Sequence, residues 1–333
     1  MKKIILIKKN INKQKIRIDK FLFNNFKNKI SRKEIQNYIY NGKILLNYNK
    51  IKKNKILKFN DKIILLFKFN KNKKKKIYSN KNLKVNIFYK DKNFIIINKK
   101  SGQIVHPGYG NYNNTLINWL KYYFKKKNIK QLNYNNYRYG LVHRLDKDTT
   151  GLLILAKNLK TYNFIKNEFI NKKIIKKYIA IIWGIPKIKK NIIKNYIGRN
   201  IKNRIKMMVM NKKNEKYGKY SITKYKVIKT YKIFSLVKCK IETGRTHQIR
   251  VHFNYIGHPI LNDKLYLNKN IKRKYINNLN NKKILKINKF LNRHALHAYY
   301  LKFKDPINKK YKKFKSKLPK DMLKCLKFFK KNF

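Results

Sequence analysis

Carboxylates are scarce in this chain: 12 Asp and Glu stand against 89 Lys and Arg in 333 residues, a formal net charge of +77. No cluster of acidic groups is available to complete a metal shell. His247, His252 and His258 lack the His-x-x-x-His spacing of a helical zinc site, so no metal is expected. Cysteine is scarcer still. Cys239 and Cys325 stand far apart with no Cys-x-x-Cys pair, which argues against a disulfide framework or a zinc ribbon and makes a reducing cytoplasm the expected compartment. Long apolar runs are also missing: none approaches the roughly 20 residues that span a bilayer. The apolar stretch after Met1-Lys2-Lys3 is too brief for a signal peptide, so a soluble protein with no membrane partner is expected.

Positive charge is what the chain has in abundance. Such a surplus points to a polyanionic partner, because each neutralised phosphate releases condensed counterions and strengthens binding. Its evenness weakens that inference. Lys, Asn, Ile, Tyr and Phe, the residues of A+T-rich codons, recur from end to end, and mutational bias accounts for much of the charge. The composition permits RNA binding without establishing it.

The length suits two domains, since domains commonly run about 100 to 200 residues. Ile18, Phe21, Leu22 and Phe26 recur at helical spacing; Ser31 then sits where an N-cap would, with Glu34 at the capping-box offset and apolar Ile35 and Ile39 behind it. After an Asn41-Gly42 turn, residues 43 to 47 and 61 to 67 read as strands. A first domain over residues 1 to 70 is expected, a helix pair on a small sheet with Arg17, Lys20, Arg32 and Lys33 near an exposed face. A basic helical hairpin of no particular function has the same signature. Residues 71 to 84, with Lys73 to Lys76, are polar and aperiodic and read as a linker.

Residues 85 to 333 form the second expected domain. Strands are read at 85 to 89, 94 to 98, 152 to 156, 177 to 183, 221 to 230 and 234 to 242, and helices at 115 to 124, at 161 to 169 and from near Thr246. Strands and helices mix without regular β-α-β alternation, which argues for an α+β fold around a mixed, mostly antiparallel sheet. Leu141-Val142 and residues 152 to 156 are both apolar and β-rich, so the loop between them is expected to join two strands.

That loop reads His-Arg-Leu-Asp-Lys-Asp-Thr-Thr-Gly over residues 143 to 151 and holds two of the 12 carboxylates. Residues 242 to 252, Glu-Thr-Gly-Arg-Thr-His-Gln-Ile-Arg-Val-His, supply the cations and donors that a working carboxylate needs. Taken singly, Asp146 also fits a residue that ties a turn through Thr149 and Thr150, Tyr178 fits a strand core, and Arg250 fits a helix surface. No such reading explains all three together. A glycosidase needs a second, separately positioned carboxylate, and Asp148 is too near in sequence to be one.

His143-Arg144-Leu145-Asp146 with Thr149-Thr150-Gly151 and Ala156-Lys157, the segment Lys176-Lys177-Tyr178-Ile179-Ala180, residues 244 to 252, and Arg293-His294-Ala295-Leu296-His297-Ala298 together resemble the RluA/RluD family of pseudouridine synthases. The likeness runs from about residue 16 to about residue 315. Residues 16 to 67 resemble an S4 RNA-binding domain. The resemblance implies an S4 domain followed by a catalytic domain that isomerises uridine in RNA without a cofactor: the N1–C1′ bond breaks, the uracil turns, and C5 is joined to C1′.

On the matched positions it implies Asp146 as the essential carboxylate, acting as nucleophile or as base in a glycal route, and Arg250 as the ion-pair partner that keeps it charged. It implies Tyr178 as the aromatic that stacks on the target base, with a hydroxyl that can assist proton removal from C5. Arg144 corresponds to the side chain that enters the gap left by the extruded nucleotide. His143, Arg245, His247 and Gln248 correspond to groups that orient loops, substrate or phosphates.

Val105-His106-Pro107-Gly108-Tyr109-Gly110-Asn111 and residues 148 to 151 resemble the RluD branch, which implies uridines of 23S rRNA, in the large ribosomal subunit or its precursor, as substrate. A monomer is the simplest assembly. The alternatives are a sister synthase acting on other rRNA or tRNA uridines, and a noncatalytic RNA-binding assembly factor; Asp146, Tyr178 and Arg250 favour the enzyme, since binding alone does not require them. Lys100 stands where the family has Pro, and residues 261 to 266 lack its glycines. These departures bear on stability and fine specificity.

Overall fold

The computed structural model describes residues 3–6, 16–26, 30, 32–67, 77–108, 110–129, 132, 138–201, 203–267 and 281–333. They fall into two compact units, residues 1–76 and 77–333.

In the first unit, Ile18 and Leu22 lie on one face of α1 (Ile18–Asn25), and Ile35 and Ile39 on one face of α2 (Arg32–Tyr40). Both faces are buried with Ile44, Leu46, Ile63 and Leu65 of a small antiparallel sheet. Its strands are β1 (Lys3–Leu6), β2 (Ile44–Leu46), β3 (Asn49–Lys50) and β4 (Lys62–Leu65), paired in the order β1-β4-β2-β3. Ser31, the expected N-cap, lies outside the described residues.

The expected basic face contains an acid that sequence pattern does not reveal. Asp19 is fully buried, and its carboxylate accepts bonds from Arg17 (3.0 and 3.1 Å), Arg32 (3.0 and 3.1 Å) and Gln36 (2.8 Å). Burial pushes its pKa up, but these three donors outweigh that and hold it below the usual carboxylate range.

Within the expected linker, Ile77 and the backbone of Tyr78 are anchored to the second unit while most side chains from 78 to 84 are exposed; residues 71 to 76 lie outside the described residues. Ile77 is buried in the second unit's core, its carbonyl accepts from Lys121 Nζ (2.6 Å), and Tyr78 O accepts from Asn118 Nδ2 (2.8 Å). Polar composition misled here because the contacts are made largely by backbone carbonyls.

The second unit is built on one large mixed sheet. Its elements are β5 (Ile87–Lys90), β6 (Phe94–Lys99), α3 (Leu116–Lys126), β7 (Thr150–Ala156), α4 (Leu159–Ile170), β8 (Ile175–Trp183), β9 (Lys190–Arg199), β10 (Met207–Val209), β11 (Lys219–Tyr231), β12 (Phe234–Ile241), α5 (Gln248–Tyr255), α6 (Asn281–Phe290), β13 (Leu296–Lys304), β14 (Tyr311–Lys315) and α7 (Lys320–Asn332). Among the described residues the strand order is β10-β9-β11-β12-β8-β13-β7-β6-β5, with β14 on β13. Pairing is antiparallel except for β7 with β13. Burial differs along the sheet: β7 reads Thr-Gly-Leu-Leu-Ile-Leu-Ala and is buried throughout, whereas β11 buries every second residue from Ser221 to Val227 and turns those between them outward.

Residues 141 and 142 do not form a strand. Leu141 makes one isolated bridge to Leu155, because Arg138 and Tyr139 before it take left-handed backbone (φ 46° and 50°) that interrupts pairing. The loop at 143 to 149 therefore runs from a turn into β7.

Three successive loop residues are then tied to the segment preceding and opening β13. Asp148 O accepts from Arg293 Nη1 (3.2 Å), Thr149 Oγ1 lies 2.8 Å from His294 Nε2, and Thr150 Oγ1 lies 2.8 Å from His297 Nδ1. Arg293 is anchored in turn by the carboxylate of Asp321 on α7 (2.8 and 3.1 Å). From the other side, the buried Lys99 ammonium donates to Lys147 O (2.7 Å), Gln103 O (2.9 Å) and Lys100 O (3.0 Å). Gly151 closes the loop where β7 meets β13: at φ 120°, a Cβ there would stand 2.3 Å from Ala298 O.

Burial lowers His294 and His297 from the ordinary 6.5 to about 4. Between those values the unfolded chain binds protons that the folded chain excludes, so stability falls as pH falls through the window from 6.5 to 4, by at most about 3 kcal/mol per histidine. Chemical denaturation at pH 7 and pH 4.5 is expected to show this loss. A His294→Gln variant should lose less than the parent; equal stability of the parent at both pH values would refute the account.

Candidate active site

The loop delivers Asp146 to a cavity of about 420 Å³ walled by β8 and by the turn that starts α5. Every residue expected at the site lines this one cavity, including Asp146, Tyr178 and Arg250.

Arg250, in the first turn of α5, is buried between two carboxylates. Its Nη1 donates to Asp146 Oδ2 (3.1 Å), while Nε and Nη2 donate to Asp263 Oδ2 and Oδ1 (2.7 and 2.8 Å). Two-point attachment makes Asp263 the anchor and leaves one arm of the fork for Asp146. Exposure divides their tasks: the Asp263 side chain is 1% accessible, whereas that of Asp146 is 21% accessible and can meet a substrate. Burial alone would discharge Arg250, but the bonds and charge of Asp263, with those of Asp146, raise its pKa above the ordinary value. Asp263 is likewise pushed up by burial and pulled further down by Arg250. Sequence reading noticed residues 261 to 266 only for their missing glycines; a carboxylate in a chain with 12 of them was the available signal.

Tyr178 lies on β8, opposite Cys239 of β12, and is 7% exposed. Burial, reinforced by the negative charge of Asp146, pushes its phenol up, so the resting side chain keeps its proton. It offers an aromatic surface and a hydroxyl donor.

His247 takes left-handed backbone (φ 55°) immediately before α5, an uncommon conformation for a non-glycine residue. Its Nδ1 lies 2.8 Å from Tyr266 Oη, which itself accepts Met207 N–H (3.0 Å). A neutral imidazole shares one hydrogen bond with Tyr266 Oη through Nδ1 and turns Nε2 toward Asp146 Oδ2, 3.9 Å away. Burial, opposed by Asp146, lowers the pKa of His247 and favours this neutral form. Tyr266 also packs its ring against the Arg250 guanidinium, 5.0 Å from the ring centre. It too escaped sequence reading, because an aromatic near a loop carries no specific signal.

Other expected residues serve the framework. Gln248 spends its amide inside the protein, accepting from Thr243 Oγ1 (2.8 Å) and Arg245 N (3.0 Å) and donating to Ile222 O (2.9 Å) and Thr223 Oγ1 (3.0 Å). His143 Nε2 accepts Ile154 N–H (3.0 Å); burial and the nearby Lys176 lower its pKa to about 3. Arg245 reaches Tyr220 O (3.1 Å), and Arg144 is exposed at the cavity. His252 sits between Ser221 Oγ and Thr223 Oγ1 (3.0 and 2.9 Å), and His258 bonds Trp183 O (3.0 Å). Among the described residues no three His, Cys, Asp or Glu side chains meet as a metal set.

Residues 93–255 match the family described as RNA pseudouridylate synthase. The chain is 36% identical over 314 residues to an uncharacterized RNA pseudouridine synthase of Chlorobaculum parvum, with 92% of each chain covered. It is 39% identical over 262 residues to the ribosomal large subunit pseudouridine synthase D of Buchnera aphidicola subsp. Schizaphis graminum, covering 75% of each. Its fold is similar to that of human RNA Pseudouridylate Synthase Domain Containing 4, with a TM-score of 0.57 and 24% identity over 74% of this chain and 93% of that one. Likeness to relatives along nearly the full length joins the local likeness of the Asp146 loop, and on both grounds the chain belongs to the RluA/RluD family of RNA pseudouridine synthases.

Proposed function

We propose that this enzyme isomerises uridines of large-subunit (23S) ribosomal RNA, with Asp146 as the reacting carboxylate. The observation that carries the assignment is the Arg250 fork: fixed on Asp263, it presents an ion-paired, partly accessible Asp146 to a cavity that also holds Tyr178. The substrate reading rests on the RluD-like motifs at 105 to 111 and 148 to 151 and on relatives named for the large ribosomal subunit.

The target nucleotide leaves its stack and enters the cavity, which costs a few kcal/mol that Arg144, at the rim, offsets by occupying the vacated space. The uracil then lies against Tyr178; stacking on an aromatic contributes about 1–3 kcal/mol per base. Asp146 attacks C1′ or removes the C2′ proton, and either way the N1–C1′ bonding pair leaves with the ring. After the ring turns, C5 bonds C1′ as the Asp146–C1′ bond breaks or, in the glycal route, as Asp146 returns its proton to C2′; the C5 proton then departs and N1 takes one up. Tyr178, protonated at rest, receives the C5 proton only after passing on its own. His247 turns Nε2 toward the Asp146 oxygen, 3.9 Å away, and adds a polar wall beside it.

The first unit is proposed to act as an S4-like RNA-binding domain. Arg17 and Arg32 are locked on Asp19 yet remain 41% and 47% accessible, so their remaining N–H groups are pre-oriented for phosphate, beside exposed Lys20 and Lys33.

Three outcomes test these assignments. Asp146→Ala should bind ribosomal RNA within a few fold of the parent and form no pseudouridine; product formation by this variant removes Asp146 from the chemistry. Asp263→Asn frees one side of the fork and should lower kcat at least tenfold with little change in KM, read by single-turnover and steady-state assays. Replacing both Lys20 and Lys33 by Ala should reduce the slope of log affinity against log salt by about 1.5, and an unchanged slope would exclude them from the phosphate contacts.

A further inference from the structure

Two lysines precede Tyr178 on β8, and the pleat sends them to opposite faces. Residues two apart on a strand share a face at about 7 Å separation, so Lys176 stands beside Tyr178 and lines the cavity, whereas Lys177 lies over the Tyr300 ring (4.9 Å) near Lys238, Lys240 and Lys302. Lys176 Nζ is 5.1 Å from the centre of the Phe169 ring and would be 3.4 Å from a Cβ at Gly244. Among the described residues no carboxylate or carbonyl accepts a hydrogen bond from it.

The cavity's own acids are engaged elsewhere: Asp146 with Arg250 (3.1 Å) and Glu242 with Lys224 (2.6 Å). Burial lowers the Lys176 ammonium to about 8, with no acid offsetting it. The contrast with Lys99, which satisfies its three N–H groups on three carbonyls, is sharp. A partly desolvated cation without an anion costs free energy in the empty site, and that cost is recovered when an anionic oxygen arrives.

We propose that the Lys176 ammonium receives an anionic oxygen of the substrate nucleotide. This rests on the reading of the Asp146 cavity as the uridine site. Two oxygens of that nucleotide have the required chemistry: the phosphodiester, charged throughout, and a uracil carbonyl, which shares the negative charge while the N1–C1′ bonding pair resides on the detached ring and loses it when C5 bonds C1′. Cation–π contact with Phe169 keeps the ammonium in place before either arrives.

The full-length parent, Lys176→Met and Lys176→Arg are compared on large-subunit ribosomal RNA for dissociation constant, single-turnover rate and thermal midpoint. Lys176→Met keeps the apolar stem, and loss of an unpaired charge should leave its melting temperature equal to or above that of the parent. If the oxygen belongs to the phosphodiester, Lys176→Met weakens binding about tenfold at an unchanged rate and lowers the salt slope by about 0.7 to 0.9. If it belongs to the ring, the rate falls tenfold or more at unchanged affinity. Lys176→Arg retains most of the function in both cases.

A Lys176→Met protein matching the parent within twofold in affinity and rate overturns the proposal, as does equal impairment of the Met and Arg variants. Should the Met variant fold poorly, the Arg variant against Lys176→Gln makes the same comparison. A parent that forms no pseudouridine would instead overturn the reading of the cavity, which separates the two failures.

Discussion

One guanidinium divided between two carboxylates governs the arrangement of this site. Arg250 cannot be held by Asp146 alone, since a single bond at 3.1 Å leaves the fork free to swing; the paired bonds to Asp263 fix its plane. Everything nearby serves that plane. Tyr266 packs beneath it, its hydroxyl bonds His247 Nδ1, and His247 turns the imidazole toward the same Asp146 oxygen. The buried triad is costly to desolvate, so removing one member leaves an uncompensated charge. Reactivity at Asp146 is thus a property of its neighbours' geometry more than of its own surroundings.

The same division of labour appears in the loop. Asp146 is the member of the 143-to-151 segment whose carboxylate meets the Arg250 fork, and most of the other groups there are tied down. His143 accepts a backbone N–H from β7, Lys147 and Asp148 lend their carbonyls to Lys99 and Arg293, Thr149 and Thr150 meet the two histidines of β13's leading segment, and Gly151 permits the close crossing. Rigidity around one accessible oxygen pair is what positioning a reacting group requires.

Sequence alone carried the two helices of the first unit, most strands of the second, and the set of side chains around the cavity, because those depend on periodicity and on a strongly patterned loop. It was silent where the physics is nonlocal. Asp19 looked like one helix residue among lysines, yet it organises Arg17 and Arg32 from beneath. Asp263 and Tyr266 lie in a stretch whose only visible trait was absent glycine. The strands β9 and β14 were missed because Lys and Asn, spread by composition, blur the alternation that marks a strand; β13 opens on a Leu-His-Ala-Tyr-Tyr run without alternation, and β10 is only three residues long. The apparent strand at 141 and 142 failed for a local reason, two left-handed residues ahead of it.

The parallel crossing of β7 with β13 joins stretches of chain separated by well over a hundred positions. A ribosome making this protein releases the Asp146 loop long before Arg293, His294 and His297 exist, and long-range pairings of this kind form late. During that interval the nascent chain already bears most of its lysines and can cling to nucleic acid, but its reactive loop has no scaffold. Chemistry thus waits for β13, its leading segment and α7, and synthesis of those later elements is the step that arms the enzyme.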